Sequence, residues 1–240
     1  MLHFDDVTAT YRGGEGVYDL NLSISPDEIV ALVGLNGAGK TTLMRLALGM
    51  LRPSYGEVRV LDHPLATLPG RMWRDVGHLV EAPLAYPELT VRDNLRIACR
   101  LQGTDPQVAA ESLARWDLTQ LADRRFRQLS MGNRQRVGLA GALQHHPRLI
   151  VLDEPSNALD PAGVITLRDL LRERAREGAA VLVSSHHLDE VARVADRILV
   201  MNSGSLIGEL DPHGSELERS FFETVRRDDA MRDADQEESS

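Results

Sequence analysis

The sequence predicts an α/β fold with a mainly parallel sheet, a β-rich N-terminal part and an inserted helical subdomain. Apolar runs of strand length at 29–33, 149–152 and 180–183 have helix-forming stretches between them, the pattern of strands covered on both faces. The first run enters a glycine-rich loop that opens directly into a helix. Residues 84–145 hold few strand signals and read instead as helices over 91–100, 107–116 and 131–143.

Taken in order, strands are expected at 29–33, 57–61, 149–152, 180–183 and 198–201, with 198–207 closing as a hairpin about a glycine-containing turn. One domain over 1–212 follows, its core split into 1–83 and 146–212 around the helical subdomain 84–145. Residues 213–240 form an extension. Its last stretch, 228–240, sets six acids against one arginine and lacks apolar content, so a disordered acidic tail is expected.

The 240 residues suffice for a substantial core, and 42% hydrophobic content suits a globular chain. No run approaches the roughly 18 apolar residues of a membrane span, and residues 1–6 carry no basic flank or apolar targeting segment. A cytoplasmic location is the expectation. The net charge of −9 argues against nucleic acid as a partner. Cys99 is the one cysteine, which rules out an intrachain disulfide and suits a small buried residue better than a nucleophile.

The loop after the first strand, Gly34-Leu35-Asn36-Gly37-Ala38-Gly39-Lys40-Thr41-Thr42, fits G-x-x-x-x-G-K-[ST]. Lys40 is the single lysine among 27 basic residues. A compact ammonium on a flexible stem reaches an oxygen cluster that a planar guanidinium does not. Glycines without Cβ let backbone N–H groups converge on phosphate oxygens at a helix start. Lys40 is expected on the β and γ phosphates of ATP, and Thr41 on Mg²⁺, which prefers hard oxygen ligands.

A second cluster ends the strand at 149–152 with Asp153 and Glu154. Ligands of open α/β sheets bind beyond the carboxyl ends of the strands, so both acids emerge where the phosphate loop lies. Asp153 is expected to hold Mg²⁺ through its water shell and Glu154 to act as general base on the attacking water. The plain alternative is a pair of acids ending a strand.

Between the two clusters, Leu129-Ser130-Met131-Gly132-Asn133-Arg134-Gln135 resembles the Leu-Ser-Gly-Gly-Gln signature of ABC-type ATPases, and the likeness covers residues 1–210. Read without the family, Ser130 is a helix N-cap. With it, Ser130, Met131, Gly132 and Asn133 face a nucleotide held by the other subunit of a dimer. The resemblance further implies that Tyr11 stacks on adenine. It makes Ser156, Leu159 and Asp160 part of an inter-subunit sensing loop, and sets His186 on the γ-phosphate with His187 as its neighbour. Glu81 stands where the family has glutamine, and its charge would either tighten metal binding or weaken ATP binding.

The same resemblance implies an ATPase with ATP and Mg²⁺ that forms a nucleotide-dependent homodimer, or a heterodimer with a similar cassette. Its partner would be an integral membrane transporter subunit on a separate chain, met at the cytoplasmic face of the membrane. "YPELTVRDNL" and "DEPSNALDP" are similar to antibiotic-efflux and peptide-export ATPases, and no regulatory domain follows residue 212, which favours export of a drug, antibiotic or peptide. The alternatives are a soluble mechanical ATPase and a phosphotransferase. The first lacks its usual coiled-coil insertion here, and the second would gain nothing from the Ser130 signature.

Overall fold

The computed structural model describes residues 1–11, 13 and 15–238. Along the chain, β1 (Leu2–Thr10), β2 (Gly16–Ile24) and β3 (Ile29–Val33) lead into helix α1 (Lys40–Ala47). Strands β4 (Tyr55–Val60), β5 (His63–Pro64) and β6 (Val76–Leu79) precede three helices, α2 (Val91–Gln102), α3 (Val108–Arg115) and α4 (Met131–Leu143). Then come β7 (Leu149–Leu152), α5 (Pro161–Arg176), β8 (Ala180–Ser185), α6 (Leu188–Ala192), β9 (Arg197–Asn202), β10 (Ser205–Leu210) and α7 (Leu217–Glu238).

Two sheets result. The antiparallel sheet has the order β2-β1-β4-β5, and the core sheet β10-β9-β3-β8-β7-β6. Within the core sheet β9, β3, β8, β7 and β6 run parallel, and β10 returns antiparallel on β9. Alternation along β3 divides the interior: Ile29, Ala31 and Val33 join the apolar cluster under the helical subdomain, while Val30 and Leu32 join the one shared with α1 and the N-terminal sheet. This two-sided burial is why β3 reads as an unbroken apolar run.

The strand expected at 57–61 begins earlier, at Tyr55, because Tyr55 pairs with Thr8. It stops before Leu61, which takes φ 51° beside Asp62 at φ 66° to turn into β5. β1 breaks register between Phe4 and Val7, where Asp6 takes φ 50°. β6 contains Gly77 because a Cβ there would stand 2.3 Å from the Ala142 carbonyl oxygen of α4.

The acidic tail is the main departure from expectation. The chain from residue 228 continues as helix α7 to Glu238, with residues 239 and 240 outside the described residues. Apolar residues before the acidic run anchor it: Phe221 and Val225 are buried in the same cluster as Leu210. The acids are then used. Asn202 Nδ2 donates to Asp228 Oδ2 and Asp229 Oδ1, both at 2.8 Å, and Arg232 Nε lies 2.8 Å from Asp228 across one turn. Phe221→Ala is expected to cost about 3 kcal/mol, the low end for a buried phenylalanine, measured as a lower urea midpoint with reduced far-UV helicity.

Behind the sheet, burial pushes the His145 imidazole down to about 4, against partial compensation from the Val76 backbone and Asp75. The folded state therefore favours neutral His145. Its stability contribution is present above the unfolded value near 6.5 and is lost as pH falls toward 4. About 3 kcal/mol is at stake over that window. Urea midpoints from pH 7 to 4 are expected to fall less steeply in His145→Phe than in the native chain.

Candidate functional site

The phosphate loop sits at the carboxyl end of β3, between that strand and α1. Its glycines are there for space and for backbone shape. A Cβ on Gly34 would lie 2.3 Å from the Met201 carbonyl oxygen, and Gly39 takes φ 107° with the Met201 methyl 2.7 Å from where its Cβ would stand. Gly37, at φ 83°, faces open space. Gly39 caps α1 with no side-chain acceptor, leaving the first amides of the helix free for an anion.

Lys40 is 7% exposed and folds back over this loop, its Nζ donating to the Gly34 carbonyl at 2.7 Å and the Leu35 carbonyl at 3.2 Å. Burial pushes its ammonium down, opposed by the charges of Glu154 and Asp153. Thr41 Oγ1 donates to Asp153 Oδ2 at 2.7 Å. Asp153 Oδ1 accepts from Ser184 Oγ at 2.6 Å, and the same hydroxyl accepts the Glu154 amide at 2.8 Å.

Glu154 leaves the strand with φ 47°. That left-handed turn puts its carboxylate 2.7 Å from His186 Nδ1 and 3.3 Å from the His186 amide. The His187 ring lies 3.9 Å from that of His186. Both histidines line a cavity of about 440 Å³ with Leu35, Asn36 and, from α7, Phe221 and Phe222.

Tyr11 is 40% exposed, and its hydroxyl accepts from Arg45 at 3.3 Å. Its phenol is held below the ordinary value by a hydrogen bond with Thr42, which outweighs burial, and by Arg45. Glu81 is ion-paired with Arg45 on α1. Among the described residues no three His, Cys, Asp or Glu side chains gather into a metal cage. The adjacent Thr41 hydroxyl and Asp153 carboxylate are nonetheless hard oxygen donors of the kind Mg²⁺ takes when substrate phosphates complete its shell. The residues fit the metal.

The 130–133 stretch opens α4 of the helical subdomain. Ser130 caps α4 by accepting the Asn133 amide at 3.3 Å, and Met131 is 76% exposed. Gly132 allows close approach, since its Cβ would lie 2.5 Å from the Ala158 carbonyl oxygen. Gln135 Nε2 donates to the Pro155 carbonyl at 3.0 Å and Arg136 to Asp160 Oδ1 at 2.6 Å. Asp160 also caps α5 through the Gly163 amide. Its carboxyl is held below the usual carboxylate range, chiefly by Arg136. The loop containing Ser156, Leu159 and Asp160 is thus braced against the 130–136 helix start.

The structure adds three residues to the site that the sequence reading left without a role. Ser184 bridges the two acids, Arg45 links Tyr11 to Glu81, and Arg136 ties α4 to the 156–160 loop. A hydroxyl pair closing the otherwise apolar β8 was the one visible signal for Ser184.

Comparison with known proteins fits this arrangement. Residues 17–157 match the family model described as ABC transporter. The bacitracin transport ATP-binding protein BcrA of Bacillus licheniformis is 33% identical over 91% of this chain and 72% of its own length. The lantibiotic transport ATP-binding protein SrtF of Streptococcus pyogenes is 32% identical, covering 92% of this chain and 96% of its own. A solved ATP-binding subunit of an ABC transporter superposes with TM-score 0.85 at 26% identity, covering 93% of this chain and 99% of that one. A dimeric ATP-binding cassette in a post-hydrolysis state with ADP and Pi gives 0.81 at 27% identity, over 89% and 100%. With its phosphate loop, its strand-end acids and its signature helix on one matching fold, the chain belongs to the ABC transporter family and is an ATP-binding, ATP-hydrolysing subunit of it.

Proposed function

We propose that the chain powers export of a drug, antibiotic or peptide through a separate membrane subunit, working as an Mg-ATP-dependent pair of cassettes at the cytoplasmic face. One observation carries the pairing: hydrogen bonds join Thr41, Asp153, Ser184, Glu154 and His186 within a single chain, while Ser130 and Met131 are exposed and the Ser130 hydroxyl caps its own helix. The site lacks its signature face until a second copy supplies it. The dimeric cassette with ADP and Pi supports the same reading. Export rests on the likeness to the bacitracin and lantibiotic transport proteins.

In this mechanism the loop amides and Lys40 grip the β and γ phosphates while Tyr11 stacks on the adenine. When bound at Thr41 and Asp153, Mg²⁺ would neutralise phosphate charge. Glu154 takes a proton from the water that attacks the γ-phosphorus as the bond to the β-phosphate oxygen breaks and ADP leaves, and His186, hydrogen-bonded to that carboxylate, orients it toward the phosphate. Ser130, Met131, Gly132 and Asn133 of the other copy close over the same phosphate, and the loop of Ser156, Leu159 and Asp160 reads whether that contact is made.

A cavity of about 830 Å³ between β6 and the helical subdomain offers the membrane partner a seat, lined by Trp73, His78, Leu84, Tyr86 and Leu101. Leu84 is 81% exposed and Leu101 72%. Such apolar exposure in a concave surface suits a protein partner. Among the described residues no helix is long and apolar enough to cross a membrane; this reading assigns the spanning helices to the partner.

Glu154→Gln is expected to keep ATP but slow turnover by roughly 10² to 10⁴, the usual weight of general-base catalysis. Sedimentation of that variant with Mg-ATP checks the pairing, and a monomer at saturating nucleotide would defeat it. Lys40→Ala is expected to lose tight nucleotide binding, read by titration with a fluorescent ATP analogue. Purification from detergent-solubilised membranes should bring down a chain with several apolar spans. Recovery with nucleic acid instead would favour a mechanical ATPase.

A further inference from the structure

The segment after β6 holds a backbone feature and an ion pair that the hydrolysis mechanism does not use. The Ala82 amide donates to the Val80 carbonyl at 3.0 Å while Glu81, between them, takes φ 69°. This is a γ-turn closed through a left-handed, non-glycine residue, the strained form of that turn. Strain of this kind persists only where neighbouring contacts impose it.

Arg45 supplies the contact. Its guanidinium is ion-paired with the Glu81 carboxylate and also donates to the Tyr11 hydroxyl at 3.3 Å. Arg45 lies four residues beyond Thr41 on α1, which stacks it one turn above Thr41 on the same helix face. Thr41 in turn bonds Asp153. One cation therefore joins the aromatic at the loop mouth, the helix of the phosphate loop and the turn at Glu81. A carboxylate released from this cation would be a free charge beside the helix whose first turn carries Thr41.

We propose that Arg45 is a positioning residue that keeps the Glu81 carboxylate paired and away from the metal and phosphate position at Thr41 and Asp153. The proposal rests on the reading that these two residues hold Mg-ATP. Both partners are partly exposed, the side chains at 34% and 55%, so the pair can be broken without opening the core. The two sides of the pair differ in what they do once alone. An unpaired Glu81 is drawn toward a nearby divalent cation, whereas an Arg45 without Glu81 keeps its bond to the Tyr11 hydroxyl.

The test uses the full chain with Glu154→Gln to stop turnover, a fluorescent ATP analogue, and Mg²⁺ titrated against its binding. Arg45→Gln is expected to lower the Mg²⁺ midpoint about fivefold, the scale of one added charge near a divalent ion. Glu81→Gln alone shifts it less than about twofold, because the charge it removes is already compensated. The double variant returns to the starting midpoint, and Arg45→Lys, which keeps the charge, stays there. The proposal is overturned if Arg45→Gln leaves the midpoint unchanged or if its shift persists in the double variant. Equal and opposite shifts from the two single variants overturn it too, since they describe independent charges. Failure of the parent chain to bind the analogue at any Mg²⁺ concentration overturns instead the nucleotide reading beneath it.

Discussion

The site is organised by one carboxylate. Asp153 accepts the Thr41 hydroxyl on one oxygen and the Ser184 hydroxyl on the other, at 2.7 and 2.6 Å. These three residues follow or end three strands, β3, β8 and β7, that are neighbours in the sheet. Because the strands are parallel, their carboxyl ends finish on one edge, and groups distant in sequence meet there. Thr41 and Asp153 are 112 positions apart and still share a hydrogen bond. Sheet order, more than any local motif, makes the phosphate loop and the acids one site.

How much of this was legible in the sequence depends on how local its cause is. The phosphate loop, α4 over Met131–Leu143 and the buried strands β3 and β7 were readable because each has its own signal: glycine spacing, an N-cap serine, unbroken apolar runs. β1 was missed because paired acids interrupt its alternation at the bulge, and β6 because Gly77 and His78 dilute its four residues. The helical course of the acidic tail was invisible for a different reason. Composition alone counts its repulsion, but the anchoring Phe221 and Val225 and the amide of Asn202 lie outside the acidic run. The Arg45 link to Glu81 joins residues 36 positions apart in sequence, and no pattern in either segment announces it.

The proposed division of the site between two copies accords with magnitudes as well as geometry. Association costs about 4 to 15 kcal/mol, and one hydrogen bond to a charged group returns only about 1.5 to 3. Ser130 by itself cannot hold two cassettes together. In the proposed pair, two nucleotides, each gripped by a loop on one side and a helix start on the other, would supply several such bonds at once. Removal of the γ-phosphate deletes the shared part of each set. The bracing of α4 on the 155–160 segment through Gln135, Gly132 and Arg136 matters here, because it would present Ser130 and Asp160 together to the proposed second copy.

The single lysine can now be explained in physical terms. The other cations of this chain are arginines, many in exposed or half-exposed ion pairs. Such pairs contribute little individually, so their chemistry hardly constrains them. Arg174 is buried too, but its guanidinium is paired with Glu173 and Glu177; Lys40 differs in that its ammonium caps two carbonyls of its own loop. Those carbonyls hold the cation in place over the loop and partly satisfy it. A bound phosphate would offer stronger, charged acceptors in exchange for these neutral ones. An arginine fork is wider and keeps its plane, so it could not tuck back over Gly34 and Leu35 and then swing to a phosphate oxygen on a flexible stem. The position therefore demands a group that can change partners within a buried space, and lysine is the side chain that does so.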